Sequence, residues 1–525
     1  MAEWRKSWKR RASVLAAALV LGAMALAQSA TNGQQAGTEK RITAGEAKQL
    51  FSLVDELTAF SSSETGLKSK GPVKRRLTSR AEVEQYLKRK FDEDEGAKRM
   101  ERGEIVLKKF GLLDRDFDLK NFLLLLLKEQ IEAYYDPKTK SIALLDWVAI
   151  EEQKPVLAHE LTHALQDQHS DLEKWDNQTP DVVSVNARED ADHVARDEMD
   201  TARDAVTEGQ ATAVMMDYIL KPMGKSLVKN PEVLELMQDQ MSAGADSPVL
   251  ARAPLLLSES LLFPYREGLS FEQDVWMDKG TEAAFAGLLD RPPSSTWEIY
   301  NPRAYEARKT ASVPLMPNIH PLVDKEWKAY DIGQIGDLDL HILTGLFGGE
   351  RAAKELTPAW DGGIYWAGQR RTARKAELAS TESIAFFYLS QWRSEAAARD
   401  FVRIYVDELG RKYNQARRDT EAERTALEGL RAGEEQQVFA TNEGPVAITL
   451  SGNRVFVAES FPLETARKLG RLVLDSQSTG ELRMASTPSE DLPQGTLTGS
   501  LRSFLGQCGV MKAVARGAAR AASRF

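Results

Sequence analysis

Val156-Leu157-Ala158-His159-Glu160-Leu161-Thr162-His163-Ala164-Leu165-Gln166-Asp167-Gln168-His169 is the stretch on which the reading of this chain turns. Val156, Leu157, Leu161, Ala164 and Leu165 suit a buried helix that carries polar groups, and the pattern predicts a helix from about Pro155 past Gln168. Pro155 fits a first helical turn, where no N–H is needed. Three of the six histidines of the chain lie in eleven residues here; His193, His320 and His341 are scattered. His159-Glu160-Leu161-Thr162-His163 has the form H-E-x-x-H. On an α-helix, residues four apart differ by about 40° in direction and one turn in height. Both imidazoles therefore leave one face and can bind one zinc ion. Glu160 lies beside that face, within reach of a metal-bound water as general base.

A catalytic zinc usually takes three protein ligands and keeps one position for water. His169 stands ten residues after His159, a spacing that serves a third ligand when a glycine turns the chain back. Gln166 occupies the glycine position. A helix continuing through it carries His169 about 15 Å along the axis from His159. The other candidate is Glu208, in Thr207-Glu208-Gly209-Gln210-Ala211-Thr212 on a long helical pattern from about Arg188 to Leu220. A carboxylate from a second, packed helix completes a His₂Glu site. Gly209 and Ala211 would let that helix approach the first closely. Asp200 and Asp204 lie on the same face as rival ligands or as outer partners.

The block from Val156 to His169, with Glu208-Gly209-Gln210-Ala211 downstream, resembles the gluzincin group of zinc metallopeptidases. More narrowly, it is similar to exported bacterial and archaeal proteins that share an H-E-L-x-H-A-L-Q-D-Q-H block. Tyr135-Asp136-Pro137, Phe263-Pro264-Tyr265 and Pro292-Pro293-Ser294-Ser295-Thr296 extend the likeness over roughly residues 120–400. The resemblance implies a zincin-like fold, with His159, His163 and Glu208 as Zn²⁺ ligands and Glu160 as general base. It implies peptide-bond hydrolysis through a zinc-activated water, with a peptide or protein as substrate. Gluzincins often carry an acid four residues after the ligand glutamate; that position is Thr212 here, so Asp167 or Asp204 would have to stand behind a ligand histidine. Tyr135, His193 and Tyr265 are candidates to steady the oxyanion. The strand predicted at Ser141–Leu145 could pair with extended substrate, and Ser295 with Glu298 reads as a capping box. A second reading keeps the fold but not the chemistry: a catalytically silent binding or envelope-assembly protein. An intact Glu160 favours the enzyme, because a structural site needs ligands but no base.

The rest of the chain sets the frame. Its 525 residues are too many for one ordinary core and suggest two to four domains. Cys508 is the single cysteine, which excludes a disulfide scaffold and a thiolate zinc finger. The formal charge of −9 disfavours nucleic acid as a partner. Residues 1–27 have the layout of a secretory signal peptide: Arg5, Lys6, Lys9, Arg10 and Arg11, an apolar run, then Ala25-Leu26-Ala27. Cleavage there takes the net charge to −13 and gives a periplasmic or secreted protein. An uncleaved membrane anchor is the alternative. Residues 28–45 read as a linker and 46–325 as the mostly helical, zincin-like domain with a small sheet. Residues 326–485 read as a smaller α+β domain, with strands at Ile364–Arg370, Ser383–Ser390, Gln437–Ala440, Val446–Ser451 and Val455–Glu459 and helices over Glu395–Tyr413 and Leu463–Asp475. The fold class is α+β. Residues 486–525 read as a weakly ordered basic tail, a loose solvated end with surface binding as the alternative; membrane contact is expected through the signal peptide.

Overall fold

The computed structural model describes residues 41–93, 95–131, 133–175, 186–242, 247–427, 429–477 and 511–523. The chain divides into Met1–Thr43 and Ala44–Phe525, and every element below belongs to the second unit. The expected signal peptide, most of the linker and Cys508 lie outside the described residues.

The first half is mostly helical: α1 (Ala44–Thr65), α2 (Arg80–Glu93), α3 (Glu95–Phe110), α4 (Leu119–Gln130), α5 (Ile150–Ser170), α6 (Ala187–Arg196), α7 (Met199–Leu220), α8 (Glu232–Ser242) and α9 (Leu255–Lys279). It also holds three strands, β1 (Lys74–Thr78), β2 (Ala133–Asp136) and β3 (Ser141–Leu145), in the order β1-β3-β2. β1 runs parallel to β3, and β2 is antiparallel to it. This corrects one expectation: Ser141–Leu145 is the central strand, with both edges taken, so substrate cannot pair with it. The outer edge beside the motif helix belongs to β2. β1 (Lys74–Thr78) was not expected: the stretch from Glu46 to about Glu132 reads as helical in the sequence.

The second half is built on a seven-stranded antiparallel sheet, order β4-β5-β6-β10-β9-β8-β7. Its strands are β4 (Trp327–Gln334), β5 (Trp360–Arg370), β6 (Ile384–Trp392), β7 (Ala416–Arg418), β8 (Glu434–Thr441), β9 (Gly444–Ser451) and β10 (Arg454–Glu459); its helices are α10 (Asp337–Leu356), α11 (Glu395–Lys412) and α12 (Leu463–Ser476). Side chains alternate along a strand, and here both faces are covered. Tyr365, Phe386 and Tyr388 join one apolar cluster with Phe401 and Tyr405 of α11. Ile364, Trp366, Phe387 and Leu389 join another with Leu469 and Val473 of α12. The fold class is α+β, as the pattern predicts. The first cluster also takes in Leu67, Leu165 and Val214, so one apolar core crosses the expected boundary near residue 325. Phe110 stacks on Phe386 with centroids 4.8 Å apart.

The expected loose tail is corrected over its last part. Met511–Ser523 forms a helix, α13, that packs on α8 and touches α4, α5 and α7. Val514, Ala515, Ala518, Ala521 and Ala522 make its buried face, while Arg516 and Arg520 stay exposed. The helix is strongly two-faced, its small alanines set against Arg516 and Arg520, and the small side chains let it pack closely.

Candidate metal centre

α5 is seated by its own N-terminal residues. Gln153 is buried: its Oε1 accepts from Leu145 N, and its Nε2 donates to the Leu145 and Val148 carbonyls. This ties the start of α5 to the end of β3 without a side-chain N-cap. The helix begins five residues before the expected start, so Pro155 lies inside it rather than in its first turn, and its missing N–H forgoes the bond to the Glu151 carbonyl. The helix runs unbroken through Gln166 and ends at Asp171, whose left-handed backbone (φ 53°) turns the chain away. His169 therefore stays one helix turn and more beyond the motif, bonded to Asp290 at 3.0 Å.

α7 brings Glu208 to the other side of the site. His159 Nε2 lies 3.0 Å from Glu208 Oε2 and 3.0 Å from His163 Nε2, and His163 Nε2 lies 3.5 Å from the same carboxylate oxygen. Among the described residues, these three side chains are the group whose donor atoms could hold a metal ion. Ligand atoms of a tetrahedral zinc site, at about 2.0–2.2 Å from the ion, stand about 3.3–3.5 Å from one another. The observed triangle is within a few tenths of an ångström of that, and its donors are the borderline nitrogen and oxygen ligands zinc takes. Asp200, Asp204 and His193 are buried nearby in the chain but are not members of the group.

The charges at the centre agree with the geometry. Burial alone would raise the Glu208 carboxyl, but the charge of His163 and hydrogen bonds from both histidines outweigh it and hold it at about 2. Burial would lower His163, yet the Glu208 and Glu160 carboxylates push it up to about 9. Burial dominates at His159 and lowers it. In the metal-free chain, then, Glu208 is an anion whose charge is balanced on His163. Burial also carries Glu160 up to about 7, with Glu208 adding to the rise and His163 opposing it. Its Oε2 accepts a 2.7 Å bond from Tyr135 N of the edge strand β2.

The candidates around this core separate cleanly. Tyr265 is buried, its ring stacks beside His159 with centroids 6.2 Å apart, and burial with the Glu208 and Glu160 carboxylates keeps its hydroxyl well above the ordinary value. The Tyr135 hydroxyl instead donates to Asp167 at 2.6 Å. Asp167 also accepts from Lys140 Nζ and Leu172 N, and so is not the acid expected behind His163. That position is filled by an amide: Gln166 Oε1 lies 2.8 Å from His163 Nδ1. The sequence marks Gln166 only as the residue in the glycine position and marks its partner Gln210 not at all, since neither has a metal-ligand spacing.

Two smaller expectations are also corrected. Gly209 admits α9 rather than α5: a Cβ there would collide with the Gly268 backbone, and one at Gly268 with the Ala205 carbonyl. Glu298 Oε2 is bonded to the N and Oγ of Ser294, not to Ser295. Comparison of the chain with known protein families, with curated proteins and with solved structures finds no match.

Proposed function

We propose that the chain is an exported zinc-dependent peptidase with a zincin-like fold. The observation that carries this reading is the meeting of His159, His163 and Glu208 donor atoms beside an unligated, buried Glu160. A site that only stores a metal or braces a fold needs no such carboxylate. Zinc, when bound, supplies a Lewis acid that polarises a carbonyl and acidifies water. Glu160, brought by burial to about 7, suits a general base at neutral pH. It takes the proton of the attacking water and returns it to the leaving amine, while the Tyr135 N–H holds one carboxylate oxygen in place. Tyr265, kept protonated, is the donor best placed to steady the oxyanion. β2 is an edge strand beside Glu160, but its Tyr135 N–H is already given to that carboxylate, so an extended peptide backbone pairs with this edge only through its remaining outward groups. The layout of residues 1–27 supports export, and no helix among the described residues is long and apolar enough to cross a membrane. The test is cleavage of casein and of a peptide library by the zinc-loaded chain and its Glu160→Gln variant. Cleavage by the first alone supports the enzyme; equal cleavage by both rejects Glu160 as base; none by either favours a silent binding protein.

A further inference from the structure

A buried chain of hydrogen bonds leads away from the metal centre, and its polarity can be read at every link. Ala283–Gly287 is a π-helical turn, a wider turn that breaks the usual i→i−4 pattern. Gln210 Nε2 meets the Ala284 and Phe285 carbonyls at 2.8 and 3.0 Å. A carbonyl oxygen only accepts, so the nitrogen of this amide must face the turn and its oxygen must face the other way. That oxygen accepts from Gln166 Nε2 at 2.9 Å, and the same nitrogen donates to the Thr207 carbonyl at 3.0 Å. With acceptors on that side, the oxygen of Gln166 is left for His163 Nδ1, 2.8 Å away. An amide oxygen also only accepts, so Nδ1 is the nitrogen that carries hydrogen. Nδ1 keeps its hydrogen whether the ring is charged or neutral, so when the second proton leaves, the lone pair a metal requires is on Nε2, the atom directed at His159 and Glu208.

We propose that Gln166 and Gln210, anchored on the Ala284 and Phe285 carbonyls, form a relay that holds His163 in its metal-binding tautomer. Through the Thr207 carbonyl the same amide steadies the backbone next to Glu208, so one relay orients two ligands on different helices. Both glutamines are positioning residues and are fully buried. The inference rests on the metal-site reading above and adds to it the device that sets ligand orientation. Groups that fix a ligand histidine from behind commonly change metal affinity by about 10–100-fold when removed.

The test uses the full chain and methionine, which keeps the shape of glutamine and removes its polarity. Zinc affinity is measured by competition with a chromogenic chelator. Gln166→Met should bind zinc about 10–100-fold more weakly. Gln210→Met, which touches no ligand, should lose about tenfold. The double variant should be no weaker than Gln166→Met alone, because Gln210 acts through Gln166. Wild-type affinity in Gln210→Met, or losses that multiply in the double variant, would overturn the relay. Should Gln166→Met not fold, Gln210→Met decides alone. Urea unfolding of the metal-free chain supplies a second reading, from double-mutant cycles of Gln166→Met with His163→Phe and with Gln210→Met. Coupled losses in both cycles support the relay, and additive ones overturn it. If the wild type takes up no zinc, the metal reading falls while these cycles still decide the relay. Zinc uptake with additive cycles removes the relay and leaves the metal centre standing.

Discussion

Glu160 accepts the backbone N–H of Tyr135 at 2.7 Å, so the acid of the motif helix is tied to the edge strand of the small sheet. That bond is buried, and a buried N–H left without an acceptor costs about 1–3 kcal/mol. Glu160→Gln keeps an oxygen for it and should fold with wild-type stability. Glu160→Ala does not, and should be less stable than Glu160→Gln by about 1–3 kcal/mol in urea unfolding. Equal stability of the two variants would show that the bond contributes nothing.

The charge balance between His163 and Glu208 gives a pH dependence. The His163 pKa is raised from 6.5 to about 9 in the metal-free chain. Its contribution to stability is therefore complete below 6.5 and is lost as pH rises through about 9. A metal competes with the same proton, so apparent zinc affinity should fall about tenfold per unit as pH drops below 9. Heating curves in chelator and in zinc between pH 6 and 9.5 should diverge as pH rises. A gap that narrows towards high pH would contradict the assignment.

Gly209 and Gly268 bring the backbones of α7 and α9 together, with no room for a methyl group at either. Gly268→Ala should cost about 1–3 kcal/mol or more, as overpacking does. Gly410, near the end of α11, has nothing within 4 Å of a Cβ position. There the alanine substitution should stabilise by about 0.5–1 kcal/mol, through helix propensity alone. Thermal unfolding of the two variants should move in opposite directions.

How far these features can be read without the structure depends on how local they are. His159, Glu160 and His163 are set by four-residue helix geometry, and Glu208 by the need for a further ligand, so the group that could hold a metal ion was legible. The strands of the large sheet were legible where apolar runs such as Ile364–Trp366 and Ala385–Leu389 cover both faces. β1 was not: it reads Lys-Arg-Arg-Leu-Thr, is mostly exposed, and exists through parallel pairing with β3, more than sixty residues away. Gln166 and Gln210 were silent because an amide announces neither charge nor ligand. Their role comes from the π-helical turn at Ala283–Gly287, which no residue type in Ala-Ala-Phe-Ala-Gly marks.

Lys412 and Glu459 form a fully buried ion pair at 2.6 Å, with Tyr405 and Tyr413 bonded to the same carboxylate. Removing one partner of such a pair strands a charge in the core, at a cost of about 3–5 kcal/mol. Glu459→Gln should lower stability by that order, while Lys412→Met with Glu459→Leu should recover most of it. Urea unfolding of the single and double variants measures both. A double variant as unstable as the single would show that the network is needed for more than charge balance.

Zinc content of the purified full chain, measured by mass spectrometry of the metal, tests the central claim most directly. The donor triangle of His159, His163 and Glu208 predicts one zinc per chain in the wild type and a near-complete loss in His163→Ala and in Glu208→Ala. A wild type without zinc, or a Glu208→Ala variant that keeps one zinc per chain through dialysis, would contradict it.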